Sequence, residues 1–382
     1  MERDFFEGID INEIKTPAFI VSEEAVIRNC EILDSVQRRT GCKILLALKA
    51  FSMFSLFPLM RKYLHGVCAS SPHEARLGRD EFRREVHSHA AAFSRHDFDE
   101  LLEFSDHIVF NSLSQYDLFK DDVIRNKGRV AFGLRVNPGH SEAPVPMYDP
   151  CAPRSRLGIT KEFLKEIPEG ISGIHFHALC ETSAEALART ARAFEENFSA
   201  FLPGLEWLNF GGGHHITKPG YNIELLCSVV SRFMDKYNLM LYLEPGEAAA
   251  LNAGILVSTV LDIVHNEIDI AILDTSAAAH MCDVLEMPFR PDAAGAGAPG
   301  EFAHTYRLAG VSCLSGDVIG DYSFPAPLSA GSKIIFFDMA HYTMVKTNTF
   351  NGIRLPSIGL YSREKGLTYI REPGYEDFKG RL

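Results

Sequence analysis

From residue 18 to about residue 250 the chain alternates short apolar runs with longer amphipathic stretches, the pattern of repeated strand-helix units. The apolar runs at residues 18–21, 43–48, 66–70, 85–89, 107–111, 130–136, 173–177, 207–210 and 240–243 are predicted strands. Most end at a polar, charged or glycine residue. In parallel barrels the chemistry sits at such C-terminal strand ends, which singles out Lys49, Asn111, His177, the run Gly211, Gly212 and Gly213, and Glu244. Helical periodicity is predicted over residues 94–104, 161–167, 184–201 and 223–237. The tetrad Ser71, Pro72, His73, Glu74 marks one helix start, with a serine N-cap, proline at the first helical position and glutamate three residues after the cap. Beyond about residue 253 the apolar runs shorten and are separated by Gly, Pro and Asp, at 256–264, 268–274, 301–309, 333–338 and 342–346, which predicts a β-rich part. Residues 292–300, DAAGAGAPG, read as a flexible loop.

The length of 382 residues exceeds a typical single domain and favours two domains, or one barrel with an appended piece. At 46% hydrophobic and 23% charged residues, the chain can bury a sizeable core, which excludes global disorder. Its formal charge of -12 opposes non-specific binding of nucleic acid and suits a cationic small molecule. The eight cysteines are scattered without a C-x-x-C pair, so neither a disulfide framework nor a cysteine zinc site is predicted. MERDFFEGIDINEIKTP lacks the apolar core of a signal peptide, and no apolar run approaches the roughly 18 residues of a membrane span. A cytoplasmic chain with no membrane partner is expected.

Lys49 follows the apolar run of KILLALKAFS. A lysine at a buried strand end is costly unless neutral, paired or covalently bonded, so it reads as a Schiff-base lysine or as one snorkelling to the barrel rim. Gly211, Gly212 and Gly213, followed by His214 and His215, would let backbone N–H groups approach a phosphate, or would make a tight turn. Glu244, in LEPGE, would pair with a cofactor's ring nitrogen or cap a helix. His175 and His177 lie on one face of a strand and, with His214, His215 and Asp274, form the rival reading of a metal-dependent barrel hydrolase. That class carries its H-x-H pair on the first barrel strand, and here several strands precede it. Cys313, in GVSCLSGD, is unremarkable by itself.

Taken in order, LALK at 46–49, HFHALCE at 175–181, NFGGGHH at 209–215, LEPGE at 243–247, GVSCLSGD at 310–317 and HYTMVKTNTFNG at 341–352 resemble the alanine-racemase-fold decarboxylases that use pyridoxal 5'-phosphate. Through HFHALCE, NFGGGHHITK, ILDTSAAAHM and TFNGIRLP the chain is most similar to members acting on carboxylated triamines, carboxynorspermidine or carboxyspermidine. The resemblance implies an α/β chain: a (β/α)8 TIM barrel over residues 18–253, and a β-rich, β-barrel-like domain from residues 1–17 and 254–382, joined by the first strand. It also implies a homodimer with shared active sites.

The same resemblance gives Lys49 the covalent link to the cofactor and His177 the stacking on its ring. Gly211, Gly212, Gly213 and Tyr342 hold the phosphate, Glu244 meets the ring nitrogen, and Cys313, from the partner subunit, is the general acid. Racemases of this fold place arginine at the ring nitrogen, so Glu244 argues against racemization. Two departures stand out: Glu247 replaces a phosphate-binding arginine, and Ala178, Leu179 and Cys180 replace Gly-Ser. Glu247 and Asp283 are therefore candidates for binding substrate amines, with His280 and Asp274 behind them. A diaminopimelate or other amino-acid decarboxylase, and a non-catalytic carrier of the cofactor, remain rivals; the carrier would lack the part containing Cys313.

Overall fold

The computed structural model describes residues 4–382. The chain forms two compact units, Ile27–Ala249 and Met1–Val26 with Ala250–Leu382. The first strand, β1 (Ala18–Ser22), belongs to the second of these.

The unit of residues 27–249 is a closed barrel of β2 (Lys43–Ala47), β3 (Gly66–Ala69), β4 (Glu85–His89), β5 (His107–Phe110), β6 (Ala131–Arg135), β7 (Ile171–His175), β8 (Trp207–Asn209) and β9 (Met240–Leu243). Neighbours pair in parallel in chain order and β2 closes on β9. Helices start where the sequence supplies caps: Ser71, Ser94, Ser112, Ser183 and Asn222 each accept a backbone N–H three residues on. At Ser71 the glutamate arm reaches one residue further back than a capping box, with Glu74 Oε2 accepting Ser70 N–H at 2.6 Å. The helix predicted over 161–167 does not form. The segment is short, Pro168 follows it and Phe163 points outward, so little apolar burial would offset nucleation.

Inward-facing residues fill the barrel in layers. The middle layer is apolar, with Leu45, Ala47, Cys68, Val109, Trp207 and Tyr242 packed together. The chain's single tryptophan takes the space of two side chains, because a Cβ on Gly133 or Gly173 would lie 2.3 or 2.0 Å from its ring. At the N-terminal end the Glu85 carboxylate gathers Lys43 Nζ at 3.0 Å, His65 Nε2 at 2.8 Å, His87 Nε2 at 2.7 Å and His107 Nε2 at 3.4 Å. Burial alone would raise the Glu85 carboxyl, but hydrogen bonds from His65 and His87 hold it far below the usual carboxylate range. A depressed native value stabilises the fold fully above the unfolded carboxyl's pKa of about 4.3, and that contribution declines progressively as pH falls from there through the native value. Glu85→Ala should therefore cost about 3 kcal/mol at pH 7 by urea denaturation, since it leaves the half-buried Lys43 ammonium without its anion and the ring N–H groups around it without their acceptor. The difference from wild type should shrink at pH 4; a cost below about 1 kcal/mol at pH 7 would make the cluster a solvated one.

The other unit is built on a sheet of order β13-β12-β11-β10-β1-β15-β16, with β14 also pairing β10. These are β10 (Gly254–Asn266), β11 (Ile268–Leu273), β12 (His304–Ala309), β13 (Val318–Phe324), β14 (Lys333–Phe337), β15 (Ser357–Ser362) and β16 (Gly366–Arg371). The boundary expected at residue 18 thus falls after β1. That strand is buried throughout, antiparallel to β10 and parallel to β15, with Ala18 and Ile20 packing on Ile255, Val257 and Tyr361. The segment read as a flexible loop at 292–300 is tied down. Phe337 N–H donates to Asp292, Ala294 N–H to Ile335, and Gly297 exchanges backbone bonds with Ser323. Its small residues let it lie against the strands. The strand predicted at 342–346 is instead a series of turns, with Tyr342 at φ +44°.

Candidate active site

Lys49, His177, the glycine run and Glu244 follow β2, β7, β8 and β9, four consecutive strands of the closed barrel, at their C-terminal ends. Glycine permits the close approach that assembles them. A Cβ on Gly212 would stand 2.0 Å from Glu244 O, and one on Gly213 1.9 Å from Leu179 O. Gly211, at φ +67°, lies against His177. Gly246 meets Ala47 and Ala50 in the same way, and Ala47 N–H donates to Pro245 O at 3.1 Å, which fastens the Glu-Pro-Gly turn to the segment bearing Lys49. The Lys49 charge acts on His89, His175 and His177 at the same barrel end.

The glycine amides divide their work. Gly211 N–H donates to Asn209 Oδ1 at 2.8 Å and Gly212 N–H to His177 Nδ1 at 3.0 Å. Among the described residues Gly213 N–H has no acceptor, and it is the amide of the run left for an anion. With Nδ1 accepting, neutral His177 carries its proton on Nε2. Burial, helped by the charges of Lys49 and Arg135, holds that ring well below the ordinary histidine range, so it is a neutral face at pH 7.

Glu244 is buried, with Oε1 accepting from Asn209 Nδ2 at 2.7 Å. Oε2 makes no hydrogen bond; His175 Nε2 stands 3.3 Å away. Burial would raise this carboxyl, yet His175 and His89 keep it well below the usual range. A buried carboxylate oxygen without a donor is a site for a donor from outside the chain.

Several expected residues are engaged otherwise. Glu247 Oε1 lies 3.0 Å from His215 Nε2, beside the glycine run, so it is already paired within the barrel. Asn111 holds the chain after β6, donating to Arg156 O and accepting Gly158 N–H. Asn209, His89 and Arg135 were not singled out, although each is a polar residue at the end of a barrel strand. Arg135 is buried and donates to His177 O at 3.2 Å; burial brings its guanidinium down to about 10. The hydrolase reading needs His175 and His177 as joint ligands, but their rings are 6.3 Å apart and His177 Nδ1 is occupied. His175 instead groups with His89 and Glu244. In the other His-carboxylate group, Glu85, His87 and His107, the two rings stack at 12° and both bring Nε2 to Glu85 Oε1, at the opposite end of the barrel.

In the sheet unit Cys313 is exposed at the tip of the loop 310–317. Its N–H donates to Asn351 Oδ1 at 2.9 Å, while buried Asp317 accepts Ser276 Oγ at 2.8 Å and Ser312 N–H at 3.1 Å, closing the loop behind it. Asp283 binds Lys346 Nζ at 2.5 Å. His280 and Asp274 serve the framework. His280 is buried with Nδ1 accepting Ser276 N–H, and burial lowers it to about 4. Asp274 accepts Ser258 Oγ at 2.7 Å and Thr259 N–H at 2.8 Å.

A lysine at a strand end, a neutral imidazole, an unclaimed amide in a glycine turn and an orphaned buried carboxylate oxygen fit pyridoxal phosphate: amine for the aldehyde, face for the ring, N–H for the phosphate, acid for the ring nitrogen. No helix among the described residues is long and apolar enough to cross a membrane. The chain is 43% identical over 383 residues, 97% of this chain and 99% of the relative, to a carboxynorspermidine/carboxyspermidine decarboxylase of Campylobacter jejuni. It is 41% identical over 379 residues, 98% of this chain and 97% of the relative, to a carboxyaminopropylagmatine decarboxylase of Synechocystis. The crystal structure of carboxynorspermidine decarboxylase from Campylobacter jejuni, complexed with norspermidine, superposes with a TM-score of 0.89 at 41% identity, covering 97% of this chain and all of that one (100%). The profile of the family described as "Pyridoxal-dependent decarboxylase, C-terminal sheet domain" matches residues 19–340, and the chain belongs to the pyridoxal-dependent decarboxylases.

Proposed function

We propose that this chain removes the α-carboxylate of a carboxylated triamine, carboxynorspermidine or carboxyspermidine, releasing norspermidine or spermidine, as a cytoplasmic homodimer. The observation that carries the chemistry is the buried Glu244 carboxylate, whose Oε2 makes no hydrogen bond within the chain: a carboxylate at the ring nitrogen keeps that nitrogen protonated. Pyridoxal phosphate, when bound, supplies the electron sink for the bond that breaks. Lys49 would hold it covalently, His177 would lie against its ring, and Gly213 N–H, with Tyr342, would take its phosphate. Cys313 Sγ would return a proton to Cα after carbon dioxide has left. The substrate assignment draws on the near full-length likeness to relatives named for carboxylated polyamines. Val311, Leu314 and Phe350 are exposed apolar residues around the Cys313 loop and its Asn351 anchor, which supports their being covered in a dimer.

A second reading, carboxyaminopropylagmatine, is favoured by the Synechocystis relative. The two substrate types differ at the far end, an ammonium against a guanidinium. Steady-state kinetics on carboxynorspermidine, carboxyspermidine, carboxyaminopropylagmatine, diaminopimelate and ornithine side by side decide it. The highest kcat/KM should fall on a carboxylated triamine; a preference for diaminopimelate or ornithine would refute the assignment.

The two acids should separate in the same assay. Asp283, whose Oδ1 is taken by Lys346, would offer Oδ2 to a substrate amine, so Asp283→Asn should lower kcat/KM on the triamine about ten- to a hundred-fold, the worth of one charge-assisted hydrogen bond, while sparing the cofactor's spectrum. Glu247→Gln, beside the glycine run, should instead weaken cofactor retention. Equal losses on triamine and ornithine in Asp283→Asn would assign Asp283 to the fold.

A further inference from the structure

Asn209 closes β8, and the register sets it beside His175 on β7 and Tyr242 on β9. Its side chain is buried and has two partners. Gly211 N–H is only a donor, so the atom 2.8 Å from it must be the amide oxygen Oδ1. The NH2 group therefore faces Glu244 Oε1, at 2.7 Å. One carboxylate oxygen is thereby occupied, and the other, Oε2, makes no hydrogen bond, with His175 Nε2 3.3 Å away. The same side chain fixes the glycine turn, so turn and carboxylate are set by a single amide.

We propose that Asn209 is a positioning residue for the reaction: by donating to Glu244 Oε1 it fixes the carboxylate's orientation and holds Oε2 toward the cofactor's ring nitrogen. This rests on the reading that Glu244 meets that nitrogen. A carboxylate tethered at one oxygen presents the other in a fixed direction.

The two bonds are separable by substitution. In Asn209→Asp the new carboxyl accepts Gly211 N–H at every pH, so the turn is kept. It donates to Glu244 only while protonated, because two carboxylates in contact share one proton. The other titratable groups around Glu244 are His175 on β7, His89 and His87 on β4, Arg135 on β6, His177 after β7, Cys68 on β3 and, acting through the histidines, Lys49. All are present in the wild type, whose profile is therefore the control.

The measurement is the dissociation constant of pyridoxal phosphate from the reconstituted full-length apoenzyme, by fluorescence titration across pH 5.5 to 9. Asn209→Asp should bind about as tightly as wild type at the acid end and lose about ten- to a hundred-fold in affinity toward the alkaline end, a transition the wild type does not show. Asn209→Ala should be weakened at all pH values. An Asn209→Asp profile that overlays the wild type, or an Asn209→Ala affinity equal to wild type, overturns the proposal. Glu244→Gln separates the two layers. If it leaves cofactor affinity and turnover unchanged, the reading of Glu244 itself fails; if it impairs both while Asn209→Asp stays flat, only the role of Asn209 does.

Discussion

Lys49→Ala should leave a folded chain that binds pyridoxal phosphate only reversibly and turns over no triamine. Lys49 lies two residues beyond β2, at the barrel end shared with His177 and Glu244, and its segment is fastened to the Glu-Pro-Gly turn by the Ala47 to Pro245 bond. None of those backbone contacts uses the side chain, so the fold should survive. Borohydride treatment followed by peptide mapping should mark Lys49 in wild type and nothing in the variant. A variant that still carries a reducible cofactor linkage would place the attachment on another lysine.

Cys313→Ala should slow product formation by about 10²- to 10⁴-fold, the range for loss of a positioned general acid. Cofactor affinity should hardly change. The thiol stands at a loop tip shaped by Asp317 and Asn351, both of which act through backbone N–H groups that alanine retains. The loss should therefore lie in proton delivery, and the variant should release misprotonated by-products alongside the amine. Near-normal turnover with one clean product would assign the proton to another group.

The barrel end was legible because its residues break a pattern. Lys49, His177 and Glu244 are polar residues at the close of apolar runs, and three successive glycines are rare where a strand ends. Other features were hidden because their causes are remote in sequence. The run AFIVS resembles a barrel strand in every local respect, yet its partners on β10 and β15 lie far along the chain, and only that pairing moves it into the sheet unit. DAAGAGAPG has the composition of a linker, but the same small residues let it bond to β13 and β14. Glu247 and Asp283 looked free because charge patterning does not reveal that His215 and Lys346 meet them. Asn209 carries no mark in the sequence, since its two hydrogen bonds join groups that only the closed barrel brings together.

Turnover of carboxynorspermidine by the holoenzyme in D2O, with carbon dioxide and triamine quantified together, tests most directly whether the site decarboxylates and then reprotonates Cα. One carbon dioxide per norspermidine is predicted, with a single deuterium on the carbon that bore the carboxylate. Absence of carbon dioxide release, or norspermidine without deuterium at that carbon, would contradict it.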